Sequence, residues 1–275
     1  DEVIVLEPAY DSYLPNIESL GAKAVCIPLI APTFCIDWEK VAAAITLQTK
    51  AIIINTPHNP TGYVWTKADM LKLDELTKGT NIYIVSDEVY EHITLDNRQH
   101  ESVLKYPSLF KRSFVTFSFG KVFHITGWKL GYCAAPENLM QEFRKIHQFL
   151  SFSCNTPMQY ALTKILQNEN AYLSLPTFFQ QKRDLFLQSI QSLPFTIFQP
   201  AQGSYFQLVG FEKISKLSDE EFAIWLTKEI GVAVIPVSAF YRQATDHQLV
   251  RFCFAKKDET IEAAAQKLLQ LNNLG

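Results

Sequence analysis

Short apolar runs alternate with helix-patterned stretches, and this alternation constrains the fold more than any other feature. Residues 3–6, 24–28, 51–54, 82–85, 114–117 and 131–135 are brief and rich in Val and Ile. Their lack of a polar face predicts strands buried on both sides, as in a parallel sheet. Helical patterns separate them at 37–45 and 66–77. The second opens on Thr66-x-x-Asp69, a capping box with Asp in place of the usual Glu. Strand and helix in turn predict an α/β fold, a mostly parallel sheet flanked by helices on both faces.

The texture changes after Pro136. Residues 137–150, 157–167 and 171–192 read as helices, with Thr156-Pro157 as a cap followed by a first-turn proline. Strands are expected at 195–199 and 204–209, and a helix then runs from Ser218-x-x-Glu221 to Gly231. Strands at 232–235 and 249–254 and a last helix at 258–271 complete a small α+β tail. The expected division is a large domain at 1–190 and a small C-terminal domain at 191–275.

Composition excludes several functions. A formal charge of −3 gives no electrostatic reason to expect nucleic acid or an anionic membrane surface. No apolar run reaches the roughly 18 residues a membrane span needs. The five cysteines are scattered, with no Cys-x-x-Cys pair, which predicts reduced thiols in a cytoplasmic protein. The chain starts without Met, directly in an apolar run, and further residues are expected upstream.

Polar groups at the ends of these runs carry the chemistry. Lys121 lies in the uncharged stretch 113–126. A lysine after a strand is ordinarily solvated, but a desolvated one has a depressed pKa and a nucleophilic amine. Asp87 follows the apolar run 82–85 and needs a partner there, be it a helix N-terminus, a cation or a protonated ring nitrogen. Tyr90 suits aromatic packing or a hydrogen bond to a ligand. Asn59-Pro60-Thr61-Gly62 is a turn, whether or not Asn59 also faces a ligand. Arg251, set among apolar neighbours, requires an anion, either internal or a bound carboxylate.

Familiar motifs are missing. There is no Gly-x-Gly-x-x-Gly, and Val122 stands where a phosphate-binding loop places Ser or Thr. No His-Glu-x-x-His occurs, and the histidines lack metal spacing. Ser118-x-x-Lys121 matches the nucleophile motif of penicillin-binding enzymes, but its Ser-Asp-Asn and Lys-Thr-Gly partners are absent.

The ordered set Asn59-Pro60-x-Gly62, Ser86-Asp87-x-x-Tyr90, Ser118-x-x-Lys121, Gly127-Trp128-Lys129-x-Gly131 and Arg251-Phe252 resembles the class I/II aminotransferases, fold-type I pyridoxal phosphate enzymes. The likeness runs from Glu7-Pro8 to the final helix. It is nearest to the bacterial methionine aminotransferases and the related kynurenine and glutamine branch.

The resemblance implies pyridoxal 5′-phosphate as cofactor and transfer of an amino group to a 2-oxo acid from methionine or an aromatic amino acid, with glutamine as a further donor. It implies that Lys121 carries the cofactor covalently and moves the proton, and that Asp87 pairs with the pyridinium nitrogen. Asn59 and Tyr90 would bond the ring oxygen, and Tyr10 would stack on the ring. Ser118 and Lys129 would contact the phosphate, and Arg251 the substrate carboxylate. Phe152 would line the side-chain pocket across the interface of a homodimer. Family members also carry a further N-terminal stretch that completes the site. Two alternatives share these residues: β-elimination from cysteine conjugates, and a non-enzymatic sensor domain of the same fold.

Overall fold

The computed structural model describes residues 1–273. Six strands form the main sheet: β1 Glu2–Glu7, β2 Lys23–Pro28, β3 Thr49–Asn55, β4 Tyr83–Asp87, β5 Ser113–Ser118 and β6 Gly131–Ala134, in the order β2-β1-β3-β4-β5-β6. β1 to β5 are mutually parallel, and β6 runs antiparallel at the edge. A second sheet of three antiparallel strands, β7 Phe206–Gly210, β8 Ile235–Pro236 and β9 Leu249–Cys253, has the order β7-β9-β8.

The main sheet is buried unequally. On one face Ile4, Ile52, Ile54, Ile84 and Val115 pack with Val41, Met70, Leu73 and Leu109, which come from three helices, Trp38–Ala44, Lys67–Thr77 and Pro107–Phe110. On the other face Val5 and Ala24 are enclosed, packed with Ile17 of the helix Tyr13–Ser19, while Val3, Ile53, Val85 and Phe114 are half-buried. The expectation of strands enclosed on both faces therefore holds for one face and only in part for the other. Burial alternates along β5: Ser113, Val115 and Phe117 turn inward, and the other face stays half-exposed.

A second core lies between the small sheet and the helix Leu175–Ile190. Phe186, Val209, Phe211, Phe222, Val250, Phe252 and Phe254 fill it. Both capping boxes form as read, at Thr66 and Ser218. The second helix, Asp219–Trp225, widens into a π-turn at Leu226–Ile230 and stops at Gly231, whose φ of 77° is left-handed.

Three expectations change. No strand forms at 195–199; Thr196 makes a single bridge to Gly210, and its hydroxyl turns to Glu212. The helix expected over 171–192 is two, Asn170–Leu173 and Leu175–Ile190, because Pro176 has no N–H to continue the first. The strand expected at 232–235 shrinks to Ile235–Pro236.

Buried His58, beside Asn59, gives a stability prediction. Its Nδ1 lies 2.7 Å from Thr61 Oγ1, and burial pushes its pKa down to about 4. Between about 4 and the usual 6.5 the unfolded chain binds the extra proton and the folded chain does not, so stability falls as pH drops through that window. The loss is roughly 2–3 kcal/mol for one such group. Urea unfolding at pH 7 and pH 4 checks this against a His58→Asn variant, which loses that much less on acidification.

Candidate active site

Parallel strands set all their C-terminal ends along one edge of the sheet, where ligands bind in open α/β sheets. Four segments leave that edge here. β1 leads through Pro8 to Tyr10, β3 to the turn bearing Asn59, β4 ends on Asp87, and β5 ends on Ser118 before a one-turn helix, Phe119–Val122, that carries Lys121. From the second sheet β9 presents Arg251. Its neighbours Val250 and Phe252 point into the core, so the two-residue period of the strand turns Arg251 the other way.

These residues converge on one cleft of about 440 Å³, lined by Tyr10, Asn59, Asp87, Tyr90, Lys121 and Arg251 among others. A larger open depression, about 710 Å³ around Glu91, His92 and Tyr172, contains none of the predicted residues. Among the described residues no His, Cys, Asp or Glu cluster is arranged to hold a metal ion.

Asp87 is fixed from three directions. Its Oδ2 accepts from Tyr13 Oη at 2.5 Å, its Oδ1 from the Val89 N–H at 3.3 Å, and its carbonyl from Asn55 Nδ2 at 2.8 Å. Burial raises the carboxyl pKa, and the Tyr13 hydrogen bond works against that rise. Tyr13 is half-buried with its own pKa pushed up, first by desolvation and then by Asp87, so it stays a donor.

Lys121 is half-buried and makes no hydrogen bond or ion pair among the described residues. Its Nζ lies 5.9 Å from the centre of the Tyr90 ring. Desolvation lowers its pKa; Asp87 opposes this, while Lys129 and Arg251 add to it. The amine is therefore poised to lose a proton more easily than a surface lysine.

Asn59 links the two sheets. Asn55 Oδ1 accepts from its backbone N–H, and its own Oδ1 accepts from Arg251 Nη1 at 2.5 Å. Arg251 Nε is enclosed and unpartnered, and no carboxylate within the described residues comes within ion-pair distance of the guanidinium.

Not every predicted residue reaches the cleft. Ser118, the last residue of β5, and the exposed Lys129, on the loop after Lys121, lie outside the cleft lining. Phe152 is 87% exposed on the surface. Three contributors escaped the reading of the sequence. Tyr13 opens the helix Tyr13–Ser19 after a turn in which its N–H bonds the Tyr10 carbonyl at 3.1 Å, and no sequence signal marked it. Phe206 and Phe240 look like ordinary core aromatics.

The arrangement suits a planar, charged heterocycle. It offers a nucleophilic amine, a carboxylate held beneath a phenol, a tyrosine ring to stack on, and an unpaired guanidinium within one cavity. Residues 1–268 match the family aminotransferase class I and II. The methionine aminotransferase of Escherichia coli strain K12 is 46% identical over 272 residues, covering 98% of this chain and 70% of that protein. The kynurenine–oxoglutarate transaminase of Dictyostelium discoideum is 34% identical over 98% of this chain and 71% of its own length. A crystal structure from Escherichia coli, with a methionine aminotransferase function, superposes with a TM-score of 0.95 at 46% identity, covering 98% of this chain and 71% of that one.

Proposed function

This chain belongs to the class I and II aminotransferases, and we propose that it moves the amino group of methionine or an aromatic amino acid to a 2-oxo acid with pyridoxal 5′-phosphate as its cofactor. Glutamine is a further donor in this reading. The observation that carries it is the meeting of Lys121, Asp87 and Arg251 in one cleft from strands of two sheets. The relatives named above are aminotransferases, and no observation favours β-elimination or a sensor domain.

When bound, the cofactor supplies an electron sink for the pair left at the amino acid Cα. The chain's own residues do the rest. Arg251 takes the α-carboxylate through its free edge and so fixes which bond faces the amine. Lys121, its pKa lowered by burial, removes the proton from Cα and can return it elsewhere. Asp87 would face the ring nitrogen and hold it protonated, with Tyr13 keeping the carboxylate in place. Tyr90 and Asn59 would bond the ring oxygen, Tyr10 would stack on the ring, and Ser118 and Lys129 would take the phosphate.

Visible absorbance of the full-length protein with pyridoxal phosphate tests this. Methionine should abolish the long-wavelength band and release one equivalent of its 2-oxo acid. A spectrum that methionine leaves unchanged would sink the methionine assignment. Tyr13→Phe removes one hydrogen bond to a charged group, worth about 1.5–3 kcal/mol. Its kcat should fall roughly ten- to hundredfold, with the KM for methionine nearly constant, as steady-state kinetics will report.

A homodimer belongs to the same proposal. The helix Glu137–Leu150 is amphipathic yet buries only Leu139, and Ile146, Phe149, Leu150, Phe152 and Tyr160 are exposed near one another in sequence. So many apolar residues left to water suit an interface, and Phe152 would reach the partner's pocket from it. Sedimentation equilibrium should give twice the chain mass. The division into 1–190 and 191–275 and a cytoplasmic setting are further parts of this reading. All five cysteines are unpaired, and no helix among the described residues is long and apolar enough to cross a membrane.

A further inference from the structure

Arg251 is placed by aromatic rings rather than by acids. Its Cζ lies 3.9 Å from the centre of the Phe206 ring and 4.8 Å from that of Phe240. A guanidinium partly withdrawn from water ordinarily demands a carboxylate. Here none is within reach among the described residues, and Asn59 engages only Nη1. Arginine is weakly hydrated and stacks on aromatic faces, so two rings can offset part of its desolvation without using its donors. A carboxylate in their place would neutralise the charge and occupy the edge that a ligand needs.

Both rings are themselves fixed. Phe206 meets Tyr90 edge-on at 6.2 Å and Tyr205 at 4.7 Å. Phe240 sits on a short 3₁₀ turn, Val237–Phe240, whose Ser238 bonds through N and Oγ to buried Asp219 at 2.7 and 2.6 Å. The Phe240 carbonyl accepts from the Ala9 N–H at 2.8 Å, next to Tyr10. The turn is thus tied to the strand end that delivers Tyr10, and the guanidinium inherits its position from both sheets.

We propose that Phe206 and Phe240 are positioning residues for Arg251, holding its guanidinium uncompensated and in one orientation so that its free edge meets the substrate α-carboxylate. The proposal rests on the reading that Arg251 takes that carboxylate. It adds a prediction that simple core packing does not make: the rings act on carboxylate binding and only through the guanidinium.

The test uses full-length, cofactor-loaded protein and variants Phe240→Leu, Phe240→Tyr, Arg251→Lys and Phe240→Leu/Arg251→Lys. Calorimetric titration with 4-(methylthio)butanoate, a methionine analogue without the amino group, measures carboxylate binding apart from turnover. Phe240→Leu should weaken it about five- to tenfold, as lost cation–π contact implies. The KM for methionine should rise in parallel, with kcat changed less than about twofold. Phe240→Tyr should restore binding, and Phe240→Leu should have no further effect in the Arg251→Lys background. Unchanged binding in Phe240→Leu, with weakened binding in Arg251→Lys, would overturn the positioning role and leave the carboxylate reading standing. An equal loss in both backgrounds would overturn it too, making the ring a mere wall. If Arg251→Lys itself binds normally, the carboxylate reading falls. Should Phe240→Leu fail to fold, Phe206→Leu is judged by the same titration.

Discussion

Replacing Lys121 with alanine lowers kcat by roughly 10²- to 10⁴-fold, the span a positioned proton-transfer group commands, and also abolishes the visible band of the bound cofactor. Nothing else in the cleft can substitute. Arg251 stays cationic at any working pH, and Asp87 is held by Tyr13 and the Val89 N–H. The amine is also the only lysine lining this cleft. Folding should survive, because Lys121 is half-buried and makes no hydrogen bond among the described residues. Its loss should change stability by no more than about 0.5 kcal/mol. Rapid-quench turnover, spectra and thermal unfolding together separate a chemical defect from a folded-state defect. An alanine variant that keeps a tenth of normal turnover ends the assignment.

Asp87→Ala is the second large effect. Removing one member of a buried charge pair costs about 3–5 kcal/mol, so kcat/KM should fall roughly 10²- to 10⁴-fold. Asp87→Asn is the sharper experiment. It keeps the shape and a hydrogen-bonding oxygen for Tyr13 but loses the charge, and should be nearly as damaged as alanine. Asp87→Glu should retain intermediate activity. Without ligand, burial already raises the Asp87 pKa, so the neutral Asn chain should be at least as stable to heat as the wild type. An active, stable Asn variant would mean that the carboxylate charge plays no part in the reaction.

Much of this was readable before any coordinates. Residues 51–54, 82–85 and 114–117 are short, mostly apolar runs, and they became β3, β4 and β5. Thr66 with Asp69 and Ser218 with Glu221 are local signals with local causes, and both boxes formed. Lys121, Asp87 and Arg251 stood out because a charge in apolar surroundings needs a reason. The helix Tyr13–Ser19 stayed hidden since it has no side-chain cap and holds Pro15 in its first turn. Residues 195–199 alternate like a strand, but Thr196 spends its hydroxyl on Glu212. Phe206 and Phe240 carry no polar group, so their bond to a cation appears only once a third residue, distant in sequence, is seen between them.

The hydrogen bond from Arg251 to Asn59 joins positions 192 residues apart. Contacts of such separation close late, since chain entropy must be surrendered before they reward it. During synthesis the early strands can collapse while the ribosome is still far from β9, and every such intermediate lacks Arg251. If Arg251 holds the substrate carboxylate as proposed, a nascent chain not yet extended through β9 would consume no amino acids.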